Sequence, residues 1–152
     1  MSKISLIIIA ISFSFLLQAQ DATSFNFTFN HLALSVKNVD QSSNFYKNVV
    51  GLQEITNRTK MDGIRWFSLG EGKELHLIST IQETVVTNKA VHLGITTSNF
   101  DGFVIKLDKL KITYNDWTGN VNKVNIRADG IKQVYIQDPN GYWIEINSVA
   151  QQ

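Results

Sequence analysis

Cysteine is absent from all 152 residues. That single absence excludes disulfides, thiolate nucleophiles and thiolate metal sites together. Proline is nearly absent too: the one copy, Pro139, stands in DPNG at 138–141, a strong turn signal. Histidine is scarce, with three copies. There is no excess charge of either sign: fourteen basic residues face thirteen acidic ones, and without Lys3 the balance is zero. Such a surface gives no electrostatic reason to bind nucleic acid or an anionic membrane. No serine elbow of the G-x-S-x-G type occurs, and GEGKEL at 70–75 reads as a hairpin turn rather than a phosphate loop.

The only long apolar run is at the start, where Lys3 precedes ISLIIIAISFSFLL and QAQ follows. A basic start, a short apolar stretch and a small residue near its end read as a secretory signal peptide over residues 1–20. The run is too short for a comfortable membrane span and lacks a basic flank after it. The expectation is an exported protein, periplasmic or secreted, that begins near Gln20 or Asp21. It would have no stable membrane association after cleavage.

What remains reads as one domain over 28–149, built twice. Strand-like residues 29–36 lead into a helix, VDQSSNFYKNVVG, with Asp40 as its N-cap and Gly51 at its exit. Phe45, Tyr46 and Val49 should face the sheet. Strands follow at 52–58, 63–69 and 74–80. After a linker at 81–88 the pattern restarts: a strand at 90–97, the helix SNFDGFVIKLDKL, and strands near 112–117, 131–137 and 142–148. The order is βαβββ twice, in modules of about 28–80 and 89–149. HLALSV lies over HLGITT, GIRWFSLG over GIKQVYIQ, and LHLIS over IEINS. In that register His31 matches His92, and His76 matches Glu145.

Side chains alternate faces along a strand. Leu32, Leu34 and Val36 therefore share one face of the first strand, and His31, Ala33 and Ser35 share the other. His92, Gly94 and Thr96 likewise oppose Leu93 and Ile95. His76 alternates with Leu75 and Leu77, and Glu145 with Ile144 and Ile146. Three imidazoles and one carboxylate thus fall on equivalent points of the two modules, away from the apolar stripe. Singly, a strand histidine is usually a half-buried side chain; jointly these four suit a divalent ion such as zinc, nickel, iron(II) or manganese. Arg65, Trp117 and Tyr135 are candidates to contact substrate.

NHLALSV, SSNFYKNVVGL, ELHLIS, VHLGI and DPNGYWIEI together resemble the vicinal oxygen chelate superfamily, which includes glyoxalase I, extradiol dioxygenases and bleomycin-resistance proteins. The resemblance spans nearly all of the chain after the leader. It implies an α+β fold in which paired βαβββ modules form a cupped, barrel-like mixed sheet with helices outside. It implies metal ligands at His31, His76, His92 and Glu145, with Glu145 as the catalytic proton-transfer group. The activity implied is that of a glyoxalase-like isomerase or lyase. It would act through an enediolate on a small substrate with vicinal oxygens. The alternatives are an Fe(II)-dependent ring-cleaving dioxygenase, or a small-molecule-binding or resistance protein without turnover. Glyoxalase I carries glutamate where His76 stands, and an arginine for glutathione where Ser35 stands. The cup can close within one chain or in a homodimer that exchanges modules.

Overall fold

The computed structural model describes residues 25–81 and 83–149. The signal peptide expected over residues 1–20 lies outside them. Eight strands and two helices alternate along the chain: β1 (His31–Ser35), α1 (Val39–Phe45), a π-helical turn (Tyr46–Val50), β2 (Glu54–Ile55), β3 (Ile64–Gly70), β4 (Lys73–Ile78), β5 (His92–Thr97), α2 (Phe100–Leu110), β6 (Asn125–Ile126), β7 (Lys132–Gln137) and β8 (Trp143–Ser148). They make two four-stranded mixed sheets, ordered β1-β4-β3-β2 and β5-β8-β7-β6. In each sheet the first strand runs parallel to the last and the other pairs are antiparallel. This is an α+β fold of two βαβββ units. Among the described residues no helix is long and apolar enough to cross a membrane.

Local chemistry sets the helix ends. Asn38, not Asp40, caps α1: its side chain accepts the Gln41 amide at 2.9 Å. Asp40 sits in the first turn, where a negative charge suits the positive end of the helix dipole. At the far end the amides of Gly51 and Leu52 both reach the Tyr46 carbonyl at 2.9 Å. Gly51 takes φ +92° there, a left-handed exit that a side chain would strain.

The apolar stripes meet in one core. Leu34, Phe67, Leu75, Leu77, Val134, Ile136, Ile144 and Ile146 are buried in a cluster shared by both modules. Phe45 and Val49 pack against it, and Tyr46 is fully buried within it. α1 contacts β3 and β4, while α2 contacts β8 and the π-helical turn. The modules are also fastened through the DPNG turn. Asn140 accepts the Lys37 amide at 2.9 Å and donates to Ser42 Oγ at 2.9 Å. The Tyr142 hydroxyl donates to the Ser35 carbonyl at 3.0 Å, and the Tyr46 hydroxyl to Asp138 at 3.3 Å.

Further sequence expectations need correction, beginning with the strand expected at 52–58, which is confined to Glu54–Ile55. The strand expected near 112–117 is reduced to isolated bridges at Asn115, and β6 forms ten residues later at Asn125–Ile126. The segment still runs beside β7, because Asn115 exchanges two backbone hydrogen bonds with Tyr135 at 2.9 Å each. The repeat register of the third strand is also shifted by two. Trp66 pairs with His76, and Tyr135 pairs with Glu145. Trp66 is therefore equivalent to Tyr135, not to Gln133. Ten residues separate the paired positions in both hairpins, so one offset relates both strands of each hairpin to their counterparts.

Candidate functional site

The site is built on the first and last strands of each sheet. Parallel pairing sets Ala33 opposite His76 and Gly94 opposite Glu145. A small residue thus neighbours His76 and Glu145 across the parallel pairs, whereas His31 stands opposite Glu74 and His92 opposite Trp143. Trp66 and Tyr135 flank the same two residues on the other side. All four candidate ligands lie on the face of their own sheet away from its buried apolar stripe.

The four come together as two pairs. In the first module the rings of His31 and His76 stack with centroids 4.4 Å apart and 14° between their planes. Trp66 covers the other face of His76 at 4.1 Å, and the Arg58 guanidinium lies 4.4 Å from the Trp66 ring. His76 Nε2 is 2.8 Å from Glu74 Oε2. Arg58 donates to both oxygens of that carboxylate, at 2.8 and 3.0 Å. The bonds from His76 and Arg58 hold the Glu74 carboxyl below the usual carboxylate range.

In the second module His92 Nε2 lies 3.0 Å from Glu145 Oε2. The Tyr135 hydroxyl donates to that same oxygen, and Gln133 Nε2 donates to the hydroxyl. All three members of this chain, Gln133, Tyr135 and Glu145, are buried. Burial first, and then the adjacent Glu145 carboxylate, push the Tyr135 hydroxyl well above the usual phenol value. The Trp117 ring, half exposed, leans on Tyr135 at 5.6 Å. Lys89 ties this wall together: its Nζ donates to the carbonyls of Asp116 and Trp117 at 2.9 and 3.3 Å and lies over the rings of Tyr135 and Trp143.

Arg65 is placed elsewhere. It pairs in the ladder with buried Leu77, on the opposite face from His76, and makes ion pairs with Asp40 at 2.8 Å and Glu54 at 3.0 Å. Glu74, Arg58, Gln133 and Lys89 were not anticipated. Glu74 was within reach of sequence reasoning, since a residue two before His76 on a strand shares its face. Arg58 lies in a loop and carried no such signal.

Among the described residues no three His, Asp or Glu side chains of one chain converge tightly enough to hold an ion. Each pair nevertheless suits part of a ligand set. The His92 Nδ1 lies 2.8 Å from the Lys89 carbonyl, which can only accept, so the proton belongs on Nδ1. The Nε2 lone pair then faces a carboxylate oxygen across 3.0 Å. Two acceptors so close need either a proton, as in an imidazolium–carboxylate pair, or a metal cation between them. Two adjacent ligands of an octahedral ion at about 2.1 Å stand about 3.0 Å apart. The donor chemistry of the pair therefore fits a divalent metal.

A family model described as "Glyoxalase/Bleomycin resistance protein/Dioxygenase superfamily" matches residues 28–146. The chain belongs to that superfamily. It is 26% identical over 123 residues to Glyoxylase I 4 of Arabidopsis thaliana, covering 77% of this chain and 68% of that one. Among solved structures it resembles Oxidase ChaP-H2, with a TM-score of 0.67 and 20% identity over 82% of this chain and 94% of the other. It also resembles the lactoylglutathione lyase from Agrobacterium tumefaciens, with a TM-score of 0.61 and 19% identity over 80% and 92%. At such identities the structural likenesses establish the fold. Members of the superfamily commonly use divalent metals, and the two pairs of candidate ligands in this chain lie on the strands that its fold repeats.

Proposed function

We propose that the chain is a metal-dependent, glyoxalase-like lyase or isomerase acting on a small substrate with vicinal oxygens. The observation that carries this reading is the His92–Glu145 contact, an imidazole lone pair set against a carboxylate at 3.0 Å. His31, His76, His92 and Glu145 would hold a zinc, nickel, iron(II) or manganese ion, which when bound supplies Lewis acidity to a substrate carbonyl. Glu145 is the proton-transfer group. Its carboxylate is oriented by the Tyr135 hydroxyl, and on this reading it takes a proton from the carbon beside the carbonyl and returns it to the resulting enediolate. Trp117 borders the space that the substrate would fill.

The complete ligand set is proposed to assemble from two copies. His31 and His76 of one would meet His92 and Glu145 of the other. Two facts support this: the pairs stay separate within a chain, and β1 and β5 both stand at the edge of their sheets. A mixing experiment tests it. Chains carrying His31→Ala and His76→Ala should bind no metal at the site, nor should chains carrying His92→Ala and Glu145→Ala. Refolded together, they should regain one intact site per heterodimer, read by zinc titration. No regained binding, or binding by a monomer on a sizing column, would refute the two-chain site.

A second reading is favoured by one observation. The fold matches Oxidase ChaP-H2, and His31, His92 and Glu145 are the two histidines and one carboxylate of an Fe(II) oxygenase. Oxygen uptake by the Fe(II)-loaded protein during turnover would select it. Tight binding of a ligand without product would select a resistance or binding role. We also propose export to the periplasm or medium, with a mature start near Gln20 or Asp21. Edman sequencing that found Met1 or Ser2 on soluble cytoplasmic protein would overturn it.

A further inference from the structure

The three histidines are not held alike. His31 Nδ1 lies 2.7 Å from Asn30 Oδ1, and His92 Nδ1 lies 2.8 Å from the Lys89 carbonyl. Both partners accept, so both rings carry their proton on Nδ1 and leave Nε2 free to ligate. His76 is inverted. Its Nε2 lies 2.8 Å from Glu74 Oε2, and nothing among the described residues is recorded at its Nδ1. Glu74 cannot easily turn away, because Arg58 grips both of its oxygens and the side chain is only 12% exposed. His76 cannot easily flip either. A half-turn of the ring must pass through an orientation that collides with His31 on one face and Trp66 on the other, 4.4 and 4.1 Å away.

We propose that Glu74, anchored by Arg58, is a positioning residue that accepts a hydrogen bond from Nε2–H of His76, so that His76 ligates through Nδ1 while His31 and His92 ligate through Nε2. A carboxylate accepting the second N–H of a metal-bound imidazole fixes its tautomer and raises its basicity as a ligand. Glu74 does this for His76 through a side chain two residues away on the same strand face. Arg58 keeps the carboxylate an anion, and its stacking on Trp66 keeps the sandwich closed. The inference deepens the metal-dependent reading through its ligation half, whereas the tautomer half holds whether or not a metal binds.

Long-range 1H–15N spectra of histidine-labelled full-length protein test both halves. With three imidazoles, single His→Gln variants assign every signal. In metal-free protein near pH 8, where unperturbed imidazoles are neutral, His31 and His92 should show the Nδ1–H pattern and His76 the Nε2–H pattern. Adding zinc should shift Nδ1 of His76 but Nε2 of the other two. Glu74→Leu should convert His76 to a mixture of tautomers and weaken zinc binding by about 10–100-fold. Arg58→Met should weaken it by less. An Nδ1–H signal from His76 in the unsubstituted protein would overturn the proposal without any variant, so a Glu74→Leu chain that failed to fold would not leave it undecided. A Glu74→Leu chain that kept the tautomer, or kept zinc affinity within about twofold, would also overturn it. If the metal-free tautomers are as stated but zinc moves none of the three rings, the metal-dependent reading fails and the tautomer assignment stands.

Discussion

Replacing Tyr135 by Phe removes one oxygen from the middle of a buried relay. That oxygen donates to Glu145 and accepts from Gln133. Its loss acts twice. A hydrogen bond to a charged group contributes about 1.5–3 kcal/mol, and a buried donor left without an acceptor costs about 1–3 kcal/mol. The two overlap because they share one atom, so the expected loss is about 2–4 kcal/mol. Against a total stability of about 5–15 kcal/mol that is a large fraction. It should appear in urea as a lower midpoint with an unchanged slope, since the surface exposed on unfolding hardly changes. In a thermal scan about 3–5 °C per kcal/mol is expected for a domain of this size. Both should be measured in chelator, so that altered metal binding cannot contribute. Gln133→Leu supplies the control, because it removes the donor that Tyr135→Phe strands. The double variant should therefore be more stable than Tyr135→Phe alone by about 1 kcal/mol. A Tyr135→Phe chain within about 0.5 kcal/mol of the parent, or a double variant that merely adds the two losses, would show that the relay does not carry the energy assigned to it.

Glu145→Gln keeps the side chain's size but removes its charge and basicity; at saturating metal, turnover should still fall by about 10²–10⁴-fold once a substrate is found, and full activity would remove the proton-transfer role. All four tyrosines are raised above the usual phenol value, with burial the first cause at Tyr46, Tyr114, Tyr135 and Tyr142 alike. Folding thus favours their protonated forms: this stabilisation is complete below about pH 10, where unfolded tyrosine ionises, and is lost as pH rises toward the higher folded values. Phenolate absorbance should therefore rise at higher pH in the folded protein than in the urea-unfolded chain, and a folded titration that coincided with the unfolded one would contradict the burial assigned to the tyrosines. Arg65→Ala should cost less than about 1 kcal/mol, since its ion pairs with Asp40 and Glu54 are exposed, and should leave metal affinity unchanged. A drop in metal affinity would show that its face was misassigned.

Local patterns were enough to reveal the repeated βαβββ order and the faces of most strands. Alternation is a property of the backbone, so Leu75 and Leu77 had to oppose His76, and Ile144 and Ile146 had to oppose Glu145. The same rule set His31 and His92 apart from the leucines beside them. DPNG marked a turn because proline fixes φ, and Gly51 marked an exit because glycine takes φ > 0 without strain. Other features depended on partners distant in the chain. Asn115 and Asn125 both pair with β7, and which of the two segments forms the regular strand is decided by how the loop between them folds back, not by local propensity. Hydrogen bonding across the hairpin placed Trp66 against His76, two positions from where the matched GI dipeptides would set the equivalent of Tyr135. Arg65 resembled an anion anchor as a residue type, yet the pleat turned it toward Asp40 and Glu54. Arg58, from a loop, could be joined to Glu74 only through space. The division of four ligand candidates into two pairs belongs to the same class. Equivalence in a repeat says that residues occupy matching places in their own modules. The distance between those places is set by how the two sheets pack, and that is a tertiary quantity.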